Sequence, residues 1–166
     1  MRHRPGMGNA AKAFEERTGI RAPRIVAWEI TRSCNLACAH CRAAAHSEPY
    51  PGELTFAECK RVMDDIASIS DPILILTGGE PLMRDDIWGI IDYARSIGLH
   101  PVIGTNGTLI DDERAARIAA CGIPRVSVSL DFPRQKPKTL SAASTAPSRR
   151  PSSAFATFAR MAWRCR

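Results

Sequence analysis

Three cysteines, Cys34, Cys38 and Cys41, stand in the spacing C-x3-C-x2-C within the stretch SCNLACAHC. Thiolates are soft ligands, and three on one loop suit zinc or an iron–sulfur cluster. A structural zinc site takes a fourth ligand, and His40, between two of the cysteines, or His46, five residues past the last, meets that count. Three cysteines without a fourth also describe a cluster that keeps one iron open for a substrate or cofactor. The residue types alone leave both sites standing. The other cysteines read as structural: Cys59 falls on the apolar stripe of a helix, Cys121 ends another, and Cys165 lies in the C-terminal tail. With no apolar stretch behind the basic start to act as a secretory signal, six cysteines are not a disulfide framework, and the expected location is the cytoplasm.

The elements that must position the cysteine loop follow from the hydrophobic pattern. Apolar strand-like runs alternate with amphipathic helices, the order of βα units around a parallel sheet. Residues 24–30 (RIVAWEI) are the first strand and run directly into the cysteines. Thr55 and Glu58 stand in capping-box spacing before Phe56, Cys59, Val62, Met63, Ile66 and Ile69, which predicts a helix with one buried stripe. Residues 72–77 (PILILT) are apolar throughout, as a strand covered on both faces would be, and they stop at Gly78 and Gly79. A helix is expected over 85–97 with acids at its positive end and Gly98 as its stop. A strand follows over 100–104, then the turn sequence Thr105-Asn106-Gly107, a helix capped by Asp111 or Asp112 that ends near Cys121, and a strand over 125–130 (RVSVSL). Four consecutive units give an α/β fold, a partial (βα) barrel of parallel strands, with functional residues at the strands' carboxyl ends. Trp28 and Trp88 read as packing residues, Ser127 as strand surface, and His3 and His100 have no partner that the sequence identifies.

Charge is divided unevenly. Residues 1–131 hold 15 Lys/Arg and all 17 Asp/Glu, whereas residues 132–166 hold 8 Lys/Arg and no acid, so the net charge of +6 belongs to the tail. That tail has no aromatic platform, zinc-finger spacing or basic recognition helix, so nucleic acid is not an expected partner. No window approaches the roughly 18 uninterrupted apolar residues of a membrane span. The chain divides into a flexible N-terminal segment, 1–22, with one short helix over 10–17; a core, 23–131; and an Ala-, Ser- and Pro-containing basic tail, 132–166, without periodicity and expected to be disordered.

The motifs together resemble one family, the radical S-adenosylmethionine (SAM) enzymes. The C-x3-C-x2-C loop after the first strand is followed by Gly78-Gly79-Glu80-Pro81 after the second, Thr105-Asn106-Gly107 after the third, and Ser127-Val128-Ser129-Leu130-Asp131 at the fourth, in the family's order. Alone, Gly78-Gly79 reads as a turn; beside the cysteine loop it reads as a SAM-binding element. The resemblance implies that Cys34, Cys38 and Cys41 hold a 4Fe-4S cluster whose open iron is chelated by SAM, and that one electron cleaves SAM to methionine and a 5′-deoxyadenosyl radical. It implies that Gly78, Gly79, Glu80 and Pro81 receive the methionine moiety, with the Glu80 charge near its amino group. Asn106, Ser129 and Asp131 are placed at the polar strand ends that contact SAM, and His40 where backbone lies near the adenine. It assigns no catalytic side chain.

The stretches AWEITRSCNLACAHCRA, PYPGELT and ILTGGEPLMRDDI are similar to the tetrapyrrole-modifying subgroup, which includes heme synthases and heme d1 biosynthesis enzymes, with peptide-modifying relatives of SPASM type. The implied substrate is a tetrapyrrole or else a peptide, and the implied reductant a flavodoxin or ferredoxin. The resemblance covers residues 22–133 and stops where the tail begins. Codons allowed for residues 140–151 (LSAASTAPSRRP) can spell FSGVNGAFQKA in a shifted frame, similar to the family's G-V-x-G-A-F continuation. The tail is therefore expected to be a frameshift product and the chain a truncated enzyme. Four strands without their neighbours leave a bare sheet edge, which predicts aggregation or dependence on a partner.

Overall fold

The computed structural model describes residues 9–129, and Asp131, His3, Cys165 and the basic tail lie outside them. Helix α1 (Asn9–Thr18) leads into β1 (Ile25–Thr31), and three helix–strand repeats follow: α2 (Phe56–Ile69) and β2 (Ile73–Gly78), α3 (Ile87–Ser96) and β3 (His100–Thr105), α4 (Asp112–Ala120) and β4 (Val126–Val128). The four strands form one sheet in the order β1-β2-β3-β4, with every neighbouring pair parallel. The α/β reading therefore holds, with each strand within a residue or two of its expected place. The fourth is shorter than expected, although Ser129 N–H still donates to Thr105 O at 2.9 Å and extends its path by a residue.

The core lies between the helices and one face of the sheet. Leu74 and Leu76 of β2 and Ile103 of β3 are fully buried, as are Cys59 and Met63 of α2 and Ile90, Ile91 and Ala94 of α3. Trp28 and Trp88 pack at its margin, as their composition suggested. Helix α2 begins with the expected capping box: Thr55 Oγ1 accepts from Glu58 N–H, and Thr55 N–H donates to the Glu58 carboxylate at 2.8 Å. Thr55→Ala should lower stability by about 1 kcal/mol, read as a shift of the urea midpoint at unchanged slope. Asp111 caps α4 in the same way, accepting from Arg114 N–H at 2.8 Å. Asp85 and Asp86 stand at the start of α3, the expected place for acids. Asp86 is its N-cap residue but makes no side-chain capping bond, because its carboxylate is taken by Arg84.

One irregularity bears directly on the site. Glu29 pairs with Thr77 and Thr31 with Gly78, so Ile30 is an extra residue in β1, a β-bulge at the strand's carboxyl end. Ile30 and Thr31 are consecutive, yet both are buried. No described helix is long and apolar enough to cross a membrane.

Candidate metal and cofactor site

The carboxyl ends of β1, β2 and β3 meet in a layer of backbone. Gly79 N–H donates to Thr31 O and Glu80 N–H to Ser33 O, both at 2.8 Å, so the Gly-Gly segment is laced to the first residues of the cysteine loop. Glycine is required at both positions by this approach. A Cβ on Gly78 would stand 2.1 Å from Thr31 O, and one on Gly79 would stand 2.2 Å from Ser33 O. Gly78 also has φ +129°, a conformation that L side chains rarely adopt.

The cysteine loop is itself ordered by backbone contacts. Ser33 and His46 form an isolated parallel bridge, with Cys34 N–H donating to His46 O at 2.8 Å, and Cys41 N–H closes a turn onto Cys38 O at 3.0 Å. Cys34 is buried, and Cys38 and Cys41 are half-buried. Donors point at two of the sulfurs: Leu36 N–H to Cys34 Sγ and Ala45 N–H to Cys41 Sγ, each at 3.4 Å. The Asn106 side-chain amide donates to Cys34 Sγ from 3.7 Å. N–H groups aimed at sulfur fix the direction in which a ligating side chain is presented. Among the described residues, no three His, Cys, Asp or Glu side chains are gathered at metal-ligating distance. The loop places its cysteines at the carboxyl end of the sheet without drawing their sulfurs together. A soft three-thiol donor set with aligned N–H groups fits an iron–sulfur cluster. His40 and His46 are exposed, and His46 joins the loop through its backbone.

Glu80 bridges the end of β2 to the end of β3. It is fully buried, and both carboxylate oxygens accept protein donors: Oε1 from Leu82 N–H at 3.0 Å and Thr105 Oγ1 at 2.8 Å, Oε2 from Asn106 N–H at 2.7 Å. Its carboxylate is therefore directed at the end of β3. Pro81 follows it, buried, as the first residue of a short 3-10 turn, 81–83.

Asn106, at the end of β3, is braced on both sides. Its backbone is held by Glu80, while its side chain donates to Asn35 Oδ1 at 2.9 Å and accepts from Thr108 N–H at 2.9 Å. Asn35 in turn donates to Thr108 Oγ1 at 2.8 Å, linking the cysteine loop to the β3–α4 loop. Asn35, Thr105 and Ser33 were missed by sequence reasoning. Asn35 adjoins Cys34 and was open to suspicion on that ground, whereas Ser33 acts through its backbone. Ser129 is exposed beside Thr105 at the same end of the sheet.

The Radical SAM superfamily matches residues 28–156. The AdoMet-dependent heme synthase of Oleidesulfovibrio alaskensis is 48% identical over 128 residues, covering 77% of this chain and 32% of that protein. That of Nitratidesulfovibrio vulgaris is 52% identical over 130 residues, covering 76% and 35%. The chain spans about a third of the length of these curated relatives. Among solved structures, BtrN in complex with AdoMet and 2-DOIA superposes with a TM-score of 0.56 at 22% identity, over 64% of this chain and 45% of that one, a likeness of fold.

Proposed function

This chain belongs to the radical SAM superfamily, and from that premise we propose that it binds a 4Fe-4S cluster through Cys34, Cys38 and Cys41, seats SAM at the carboxyl ends of β2, β3 and β4, and serves an enzyme that modifies a tetrapyrrole. One observation carries the reading: the backbone lacing of Gly79 and Glu80 to Thr31 and Ser33, which sets the cysteine loop and the Gly-Gly segment side by side. When bound, the cluster and SAM supply a one-electron reductive cleavage of a carbon–sulfur bond.

The protein's own part is positioning. The Leu36 and Ala45 N–H groups orient the Cys34 and Cys41 sulfurs. Gly78 and Gly79, with no side chain, let their segment lie directly against Thr31 and Ser33 of the cysteine loop, and the methionine moiety of SAM is assigned to the backbone so positioned. Glu80 fixes Asn106 at the β3 end, from which Asn106 and Ser129 reach polar atoms of SAM; Asp131 and His40 are assigned to the same ligand, the latter through backbone near the adenine. A tetrapyrrole is favoured as substrate over a peptide by the two heme synthases, which share about half of the matched residues. The electron is assigned to a flavodoxin or ferredoxin, and the location to the cytoplasm, where thiols stay reduced.

Anaerobic reconstitution followed by iron, sulfide and zinc analysis tests the cluster, and electron paramagnetic resonance before and after SAM tests its open site. The expected result is about four irons per chain and a spectrum that shifts on adding SAM. Zinc at about one equivalent with no iron would replace the proposal with a structural site.

A further inference from the structure

Arg84 is a charged side chain that reaches both stems of the cysteine loop. It lies between the 3-10 turn and α3, and its side chain is 8% exposed. Nη1 donates to Ile30 O at 2.7 Å, and Nη2 donates to Leu54 O at 3.0 Å. Ile30 is the bulged residue of β1, so its carbonyl leaves the strand ladder where the cysteine loop departs. Leu54 is the last residue before Thr55, the N-cap of α2, where the loop returns. Nε and Nη2 also form a fork on Asp86, at 2.8 Å to Oδ1 and 2.7 Å to Oδ2, which fixes the plane of the guanidinium.

We propose that Arg84 is the positioning residue of the cysteine loop: one guanidinium, held in its plane by Asp86, clamps the carbonyl where the loop leaves β1 and the carbonyl where it enters α2, and so sets how Cys34, Cys38 and Cys41 are presented. The clamp itself rests on hydrogen bonds already described; only the use of the loop for a cluster rests on the function proposed above. Arginine is needed because its planar fork carries five donors in fixed directions, whereas the three donors of a lysine ammonium radiate from one atom and cannot reach both stems and both Asp86 oxygens. Joining the stems at one point shortens the free segment to residues 31–53, which lowers the entropy it must lose on ordering.

The test uses the metal-free full chain and trypsin. Arg42 is exposed on the loop and reports its opening, while Arg61, on α2, reports general unfolding. Arg84→Lys is expected to raise the cleavage rate after Arg42 about tenfold with the rate after Arg61 unchanged, and Asp86→Asn to raise it by a smaller factor, about threefold. In Arg84→Ala, added methylguanidinium should lower the rate after Arg42 relative to that after Arg61, a ratio that its inhibition of trypsin leaves unchanged, whereas methylammonium should not. An unchanged Arg42 rate in Arg84→Lys and Asp86→Asn would overturn the proposal, as would equal acceleration at Arg42 and Arg61 without guanidinium rescue. If the loop loosens as expected but the unmodified chain takes up no iron, the clamp stands and the cluster reading falls. If the chain takes up iron and the Arg42 rate is indifferent to Arg84, the reverse holds.

Discussion

Gly79→Ala is expected to lower unfolding stability by about 3 kcal/mol and to reduce iron uptake on reconstitution severalfold. The single added carbon would stand 2.2 Å from Ser33 O, 2.7 Å from Ser33 C and 2.8 Å from Arg32 O. All three are backbone atoms, so no side chain can swing aside, and the segment that carries Cys34 must move. That movement opposes two hydrogen bonds, Gly79 N–H to Thr31 O and Glu80 N–H to Ser33 O. Gly98 supplies the control for glycine as such. It has φ +89° and nothing within 4 Å of an added Cβ, so Gly98→Ala strains the backbone at the end of α3 without touching the loop. Urea unfolding of both variants, paired with iron analysis, separates the effects: Gly98→Ala should lose stability but keep normal iron uptake in the fraction that folds. Equal iron uptake by Gly79→Ala and the unmodified chain would mean that the contact between loop and Gly-Gly segment is incidental to binding.

Glu80→Gln is expected to destabilise by about 2–3 kcal/mol although it preserves shape. Each carboxylate oxygen accepts from an N–H or O–H donor, three bonds in all, at a residue with no exposed surface. An amide in the same place presents its NH2 group either to Asn106 N–H or to Leu82 N–H and Thr105 Oγ1. In both orientations a donor faces a donor where water cannot intervene. Thr105→Val removes one of the three donors and should cost less, about 1 kcal/mol, with its loss partly shared with Glu80→Gln in a double-mutant cycle. If Glu80 served only to meet a ligand with its charge, the free chain would tolerate glutamine with no change in the urea midpoint, and that result would sink the bracing role.

The strands, helices and their order were legible because local signals agreed with the tertiary outcome. The PILILT run reads as a strand, although only its Leu74 and Leu76 face is fully buried and Ile73 stays exposed, and the Thr55–Glu58 pair can cap only the helix that follows it. The parallel sheet followed from alternation alone. The site was legible in its residue types and in the end of the sheet it occupies, but not in its internal partnerships. Nothing in a linear reading distinguishes a glutamate that faces a ligand from one that faces Thr105, 25 residues away. Arg84 was invisible for the same reason: its partners Ile30 and Leu54 are carbonyls, and any residue type could provide them. The pairing of Asp86 was hidden as well, because a dipole argument weighs an acid against the helix start and cannot see an arginine two residues earlier.

The bulge at Ile30 has a consequence for anyone who would graft this loop onto another sheet. Side chains along a strand alternate between faces, and one inserted residue reverses that alternation for everything after it. In an unbulged β1, Thr31 would share the face of Ile25 and Glu29; here it is 2% exposed and packed inward beside Ile30. The segment leading to Cys34 is therefore launched half a pleat out of phase with the strand before it. A recipient strand without an equivalent extra residue would send the transplanted cysteines off on the opposite side of its sheet, however faithfully their spacing was copied.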